Sequence, residues 1–198
     1  MRRLFATNLT LVLFVGLLVL GWSSDASERK DVSFMNSKVK VGQMQLLQVS
    51  NNPDQDYYLY VPSSVEPGAK IFVTVHGISR NALEHALLYQ PFAEQYGVIL
   101  VAPYFPSDSY QQLQTVGGQW RSDLAFESII QDVEELTKAN GEQLYLFGYS
   151  GGGQFVHRFM MAYPERVARL AVGAAGWYTF PDPTHEYPQG IGPNPMLD

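Results

Sequence analysis

Four short apolar runs, each set off by glycine or proline and separated by stretches with helical spacing, constrain this chain more than any other feature. They are "KIFVTVHG" (70–77), "VILVAP" (98–103), "QLYLFGY" (143–149) and "RLAVGAAG" (169–176). Continuous rather than alternating apolarity is the mark of a strand covered on both faces, as in parallel sheets. Between the runs, Leu83, Ala86 and Leu87 predict a first helix, opened by the capping pair Asn81 and Glu84 and closed before Gly97. Phe126, Ile129, Ile130, Val133 and Leu136 predict a second, stopped at Asn140 and Gly141, and "QFVHRFMMAY" (154–163) a third. Strand and helix in alternation imply βαβ units: an α/β fold with a mostly parallel, doubly wound sheet. Ahead of them, "GQMQLLQVS" (42–50) and "DYYLYVP" (56–62), joined by the turn residues "NNPDQ" (51–55), predict an antiparallel hairpin.

The chemistry concentrates where one run ends. Gly148, Tyr149, Ser150, Gly151 and Gly152 spell G-x-S-x-G between a predicted strand and a predicted helix. A strand that turns directly into a helix holds its central residue in strained geometry. The glycines on either side remove Cβ atoms that would collide as the two elements cross. The hydroxyl of Ser150 is then pushed out beyond the carboxyl end of the sheet, where such folds bind ligands. His76 and Gly77 end another strand at the same edge, so that the backbone N–H of Ile78 and that of Gly151 form a candidate cradle for a developing oxyanion. For His76, hydrogen bonding that shapes this loop fits its position better than proton transfer.

With these residues the chain resembles the α/β-hydrolases, "HGIS" and "GYSGGGQFVHRF" being most similar to secreted esterases and polyhydroxyalkanoate-depolymerase-like enzymes, over about residues 40–180. The resemblance implies a serine nucleophile, a backbone oxyanion hole, a small or polymeric carboxylic ester as substrate, and neither metal nor organic cofactor. It also implies a base and an acid after Ser150, in the order serine, acid, histidine. The remainder, "WYTFPDPTHEYPQGIGPNPMLD" (177–198), is rich in proline and glycine and does not read as two further βα units. The expectation is therefore a hydrolase domain over 27–198 that is incomplete at its C-terminus, with a last strand left as a sheet edge, no base beside Ser150, and weak or absent turnover. A compact triad of Ser150, His185 and Asp182 or Glu186 is the alternative for the base. For the whole chain the alternatives are a non-catalytic α/β-hydrolase-like domain that binds a ligand or partner, and a peptidase or acyltransferase on the same scaffold.

His157, two turns past Ser150, is expected to pack or snorkel, and His85 to lie on the surface of the first helix. Asp132, Glu134 and Glu135 are expected to form a solvated face. Tyr104, Trp120, Trp177 and Tyr178 are candidate cleft residues, with plain packing as the rival.

Net charge −6, with 13 Lys and Arg against 19 Asp and Glu, leaves no basic stripe for nucleic acid, and the absence of cysteine excludes disulfides and thiolate catalysis. Arg2 and Arg3 precede the apolar stretch Leu9–Trp22, and Ser24 and Ala26 have the small-residue spacing of a cleavage site. Residues 1–26 are thus expected to be a signal peptide of an exported, periplasmic or secreted protein. The alternative is an uncleaved anchor over Leu4–Trp22, which would add a membrane contact.

Overall fold

The computed structural model describes residues 32–193; the expected leader lies outside them. In chain order the elements are β1 (Met44–Val49), β2 (Asn52–Tyr60), β3 (Lys70–Val75), α1 (Ala82–Tyr96), β4 (Ile99–Pro103), α2 (Ser122–Thr137), β5 (Asn140–Tyr149), α3 (Gly151–Ala162) and β6 (Val167–Gly173). The six strands form one mixed sheet in the order β1-β2-β4-β3-β5-β6. β1, β2 and β4 pair antiparallel, whereas β4, β3, β5 and β6 are mutually parallel. Winding starts at β3, steps outward to β4, and returns past β3 to β5. The carboxyl ends of β3 and β5 therefore flank the point where the winding reverses, the place where open α/β sheets build their crevice.

Helices α2 and α3 cover one face around a core that includes Phe126, Phe155 and Phe159, with Phe126 and Phe159 ring centroids 4.8 Å apart. On the other face α1 packs over β4, β2 and β3, against a small cluster of Tyr60, Ala93 and Leu100. As expected, β6 is an outer strand of the sheet.

Several local expectations are corrected. The hairpin turn is only Ser50–Asn51; β2 begins at Asn52, and the register slips between Gln48 and Val49, which face Asp56 and Asn52. Pro53 falls in that irregularity, where its missing N–H leaves no ladder bond unmade. Asn81 does not cap α1 with its side chain; its Nδ2 donates instead to Glu84 Oε2 (2.7 Å). The second helix ends at Thr137, closed by Lys138 in the left-handed region at φ 57°, and Asn140 already belongs to β5. Leu83 and Leu87 point outward, and the face of α1 that meets the sheet is built from Ala82, Ala86 and Ala93. Small residues there let the helix axis sit close to large strand side chains.

His85 is buried on that inner face, its Nδ1 3.0 Å from Thr74 Oγ1. Asp132 is buried as well. It accepts the hydroxyl of Tyr57 on Oδ2 and the N–H of Ser50 (3.0 Å) on Oδ1, tying α2 to the hairpin. Burial, then the bond to Asp132, raises the pKa of Tyr57. Tyr57→Phe strips a buried carboxylate oxygen of its donor and is expected to cost about 1–3 kcal/mol in urea unfolding. An unchanged midpoint would mean that the pair contributes nothing net.

Candidate active site

β5 runs into α3 with one intervening residue, Ser150, whose φ of 55° and ψ of −118° lie outside every region that an L-residue adopts freely. Close packing on both sides holds it there. Ser150 N–H donates to Gly173 O at the end of β6 (2.8 Å), and Ser150 O accepts the first helical bond, from Gln154 N–H (3.1 Å). A Cβ on Gly148 would lie 2.1 Å from Gly152 O, and one on Gly152 would lie 2.1 Å from Val75 O and 2.5 Å from His76 O. Strand β5, helix α3 and the end of β3 thus meet at backbone contact distance. Ser150 Oγ has no hydrogen-bond partner among the described residues, and its residue is half-buried.

The loop after β3 lies directly against this turn. Gly77 is beside Ser150: a Cβ on it would be 3.1 Å from Ser150 Cβ and 3.5 Å from its Oγ. Ile78 N would be 3.5 Å from a Cβ on Gly151, so the two expected oxyanion donors belong to adjoining backbone segments. Neither N–H donates to a backbone carbonyl in the turns and loops described. Gly151 opens α3, whose first N–H groups have no partners within the helix.

His76 is completely buried at the base of this loop. Phe105 N–H donates to its Nε2 (3.1 Å), which leaves the ring proton on Nδ1, where it is donated to Gly77 O (2.8 Å). Burial lowers its pKa to about 4, with the nearby Arg80 and His85 adding to the effect. A neutral ring with both nitrogens engaged fixes the Gly77 peptide relative to the exit of β4. It has no lone pair left to take a proton from Ser150.

His185 is paired with Asp182, Nδ1 to Oδ2 at 2.8 Å, and Asp182 also accepts from Thr184 N–H (2.8 Å) and Oγ1 (2.7 Å). The pair lies in a tight, exposed loop and makes no hydrogen bond to Ser150. Glu186 N–H and carbonyl belong to the same loop, whose Gln189 and Gly190 N–H groups donate to Glu186 O (3.1 and 3.0 Å). The segment from Ala174 onward runs back along α3 and away from Ser150. Gln154 Nε2 holds Ala175 O (2.6 Å), His157 meets the edge of Tyr178 at 5.0 Å, and Arg158 Nε holds Thr179 Oγ1 (2.8 Å). Trp177 and Tyr178 are about half exposed, and Tyr104 packs 6.2 Å from His76. Trp120 lines a cavity of about 290 Å³ with Tyr187 and Pro188 rather than the space over Ser150.

Two partners at this site are marked by no sequence motif. Phe105 acts on His76 through its backbone amide, which no side-chain motif encodes. Arg158 is fully buried without a carboxylate partner among the described residues, its NH1 donating to Gln114 O (2.7 Å) and Gln154 Oε1 (3.2 Å) and its guanidinium 5.7 Å from the Tyr187 ring centroid. Its position on the apolar stripe with Phe155 and Phe159 was the available hint.

Mixed sheet, winding order and a strand–serine–helix turn at the reversal point make this chain an α/β-hydrolase in fold. No family model matches its sequence. Among solved structures it is similar to poly(aspartic acid) hydrolase-1 from Sphingomonas sp. KT-1 (TM-score 0.67, 26% identity, 78% of this chain and 65% of that one). It is also similar to LpqC, a poly(3-hydroxybutyrate) depolymerase from Bordetella parapertussis (TM-score 0.63, 26% identity, 76% of this chain and 58% of that one). Among curated proteins, the bifunctional acetylxylan esterase/xylanase XynS20E of Neocallimastix patriciarum is 23% identical over 121 residues, which are 59% of this chain and 17% of that protein. The chain therefore spans less than two thirds of the length of each of these proteins. Among the described residues no helix is long and apolar enough to cross a membrane.

Proposed function

We propose that this chain carries the nucleophile and oxyanion half of an exported serine hydrolase that acts on carboxylic esters through an acyl-enzyme at Ser150. The observation that carries the reading is the strained backbone of Ser150, with its free hydroxyl set against the Gly77–Ile78 loop. Backbone strain of this order, about 1–3 kcal/mol, persists where surrounding packing over-determines it. In the proposed reaction Ser150 Oγ forms a bond to the substrate carbonyl carbon while its proton passes to a base. The carbonyl oxygen becomes an oxyanion that accepts from the N–H groups of Ile78 and Gly151. Collapse expels the alcohol, which takes up the proton, and water then cleaves the acyl-serine. His76 positions the loop without touching substrate. The similarity to ester- and polymer-cleaving enzymes supports an ester, monomeric or polymeric, as the substrate class.

The base is the missing component, because no described histidine is hydrogen-bonded to Ser150 Oγ. Turnover of short p-nitrophenyl esters is accordingly expected to be slow, abolished in Ser150→Ala, and unchanged in His185→Ala. A fluorophosphonate should label Ser150 slowly and leave Ser150→Ala unlabelled. The unpaired hydroxyl also favours a second reading, a non-catalytic domain that binds a ligand or partner in the crevice. Complete resistance of Ser150 to the fluorophosphonate would establish that reading in place of the first. Loss of turnover in both Ser150→Ala and His185→Ala would instead make His185, with Asp182, the base.

A further inference from the structure

The oxyanion donor Ile78 N–H is aimed by contacts that its own residue does not make. Gly77, Ile78, Ser79 and Arg80 form a turn closed by Arg80 N–H, which donates to Gly77 O (3.2 Å); the same carbonyl accepts from His76 Nδ1–H (2.8 Å). Gly77 O and Ile78 N–H belong to one planar trans peptide, on which carbonyl and amide point in opposite directions. Two donors that fix the carbonyl therefore fix the direction of the Ile78 N–H, the half of that peptide left without a backbone acceptor.

Both donors are anchored to the loop after β4. His76 is tied to it by Phe105 N–H, which donates to Nε2 (3.1 Å). Arg80 is tied to it by its side chain, with Nη2 donating to Tyr110 O (2.8 Å) and Gln111 O (3.3 Å). The two anchor points are themselves joined: Tyr110 packs edge-on against Phe105, ring centroids 5.2 Å apart, and its N–H donates to Pro106 O (2.8 Å). The contacts close a circuit from Gly77 through His76, Phe105, Tyr110 and Arg80 back to Gly77.

Stability alone does not explain an arginine at this position. Its backbone lies in the left-handed region at φ 60°, which penalises any residue with a Cβ. Its Nε and Nη1 are buried with no hydrogen-bond partner among the described residues, so part of the guanidinium is desolvated without return. Local conflicts of this kind are expected where a site, rather than the fold, sets the residue.

We propose that Arg80 is a positioning residue of the oxyanion hole. By tying the Gly77–Arg80 turn to the Tyr110 and Gln111 carbonyls, it holds the Ile78 N–H in line with the carbonyl oxygen of the ester that Ser150 attacks. It acts through Gly77 and Ile78 and does not touch substrate. The inference rests on the ester-hydrolase reading of Ser150.

Two full-length variants separate the hydrogen bonds from the packing. Arg80→Met keeps an apolar stem and loses every donor, whereas Arg80→Lys keeps one. Fluorophosphonate labelling of Ser150 and hydrolysis of p-nitrophenyl acetate report on the hole, and urea unfolding reports on the fold. Arg80→Met should label about ten to a hundredfold more slowly than the parent, somewhat short of the loss from removing a donor outright. Its kcat should fall with KM little changed, while its urea midpoint stays at or above the parent's, because the unpaired N–H groups are gone. Arg80→Lys should label at a rate between the two. Labelling of Arg80→Met at the parent rate would overturn the proposal and leave the ester-hydrolase reading intact. A urea midpoint that falls along with the rate, or an Arg80→Lys as slow as Arg80→Met, would make the side chain a structural one and overturn it as well. A parent chain whose Ser150 resists the probe would remove the ester-hydrolase reading itself, and the positioning role with it.

Discussion

Gly152→Ala is expected to lose about 3–5 kcal/mol of stability and, with it, any fluorophosphonate labelling of Ser150. The added methyl would lie 2.1 Å from Val75 O and 2.5 Å from His76 O, separations that no side-chain adjustment relieves because both opposing atoms are backbone. Relief requires α3 to lift from the end of β3. That movement separates Gly151 from Ile78 and lets Ser150 relax toward ordinary dihedral angles. The thermal midpoint should fall by roughly 6–20 °C for a domain of this size. Gly151→Ala is the informative comparison, since its methyl would meet Ile78 Cγ2 at 3.1 Å, a side-chain atom that can give way. A Gly152→Ala protein that melts like the parent would mean that the three segments do not meet as closely as described.

Acid should weaken this protein over two pH ranges, the upper of them traceable to His76. Its folded pKa, about 4, lies below its ordinary value of 6.5, so the folded state disfavours the charged ring and the unfolded chain binds the proton first. The stabilising effect is thus complete above about pH 6.5 and is lost as pH falls from there toward 4. The full difference is on the order of 3 kcal/mol. Burial shifts His85 and His157 in the same direction, so they add to the slope. Asp123 and Glu94, both held below the usual carboxylate range by hydrogen bonds that outweigh their burial, titrate only further down. Urea midpoints should decline between pH 6.5 and 4 in the parent and less steeply in His76→Asn, which is also expected to be less stable at pH 7. A parent midpoint flat across that interval would show that the ring is hydrated and that the Phe105 bond does not hold it.

Strand positions and winding were legible because continuous apolar runs have few other uses in a chain of this length. The turn at Ser150 was legible because its glycines answer a steric demand that leaves little choice of residue. Less could be read of α1. Its leucines at helical spacing suggested an inward face, yet the sheet beneath is lined by Tyr60, Phe72 and Leu100, and the helix meets it with Ala82, His85, Ala86 and Ala93 instead. Charge misled in the same way at Asp132, where membership of an acidic run hid a pairing with Tyr57 that is 75 residues away in sequence. His85 was misplaced because a helix of mixed apolarity gives no unambiguous inside. The partner of His76 is a main-chain amide, and the identity of residue 105 has no bearing on whether that amide is present.

Arg158 has a consequence for how the final stretch of the molecule behaves. Its guanidinium joins Thr179, the carbonyl of Gln114 and the ring of Tyr187, with no carboxylate bonded to it among the described residues. Were the tail to detach at Thr179 alone, Nε would lose its acceptor while NH1 kept Gln114 O and Gln154 Oε1, leaving a buried cation one bond short. The tail and the loop that carries Gln114 are thereby fastened to helix α3 through one shared cation, so that loosening either weakens the hold on the other.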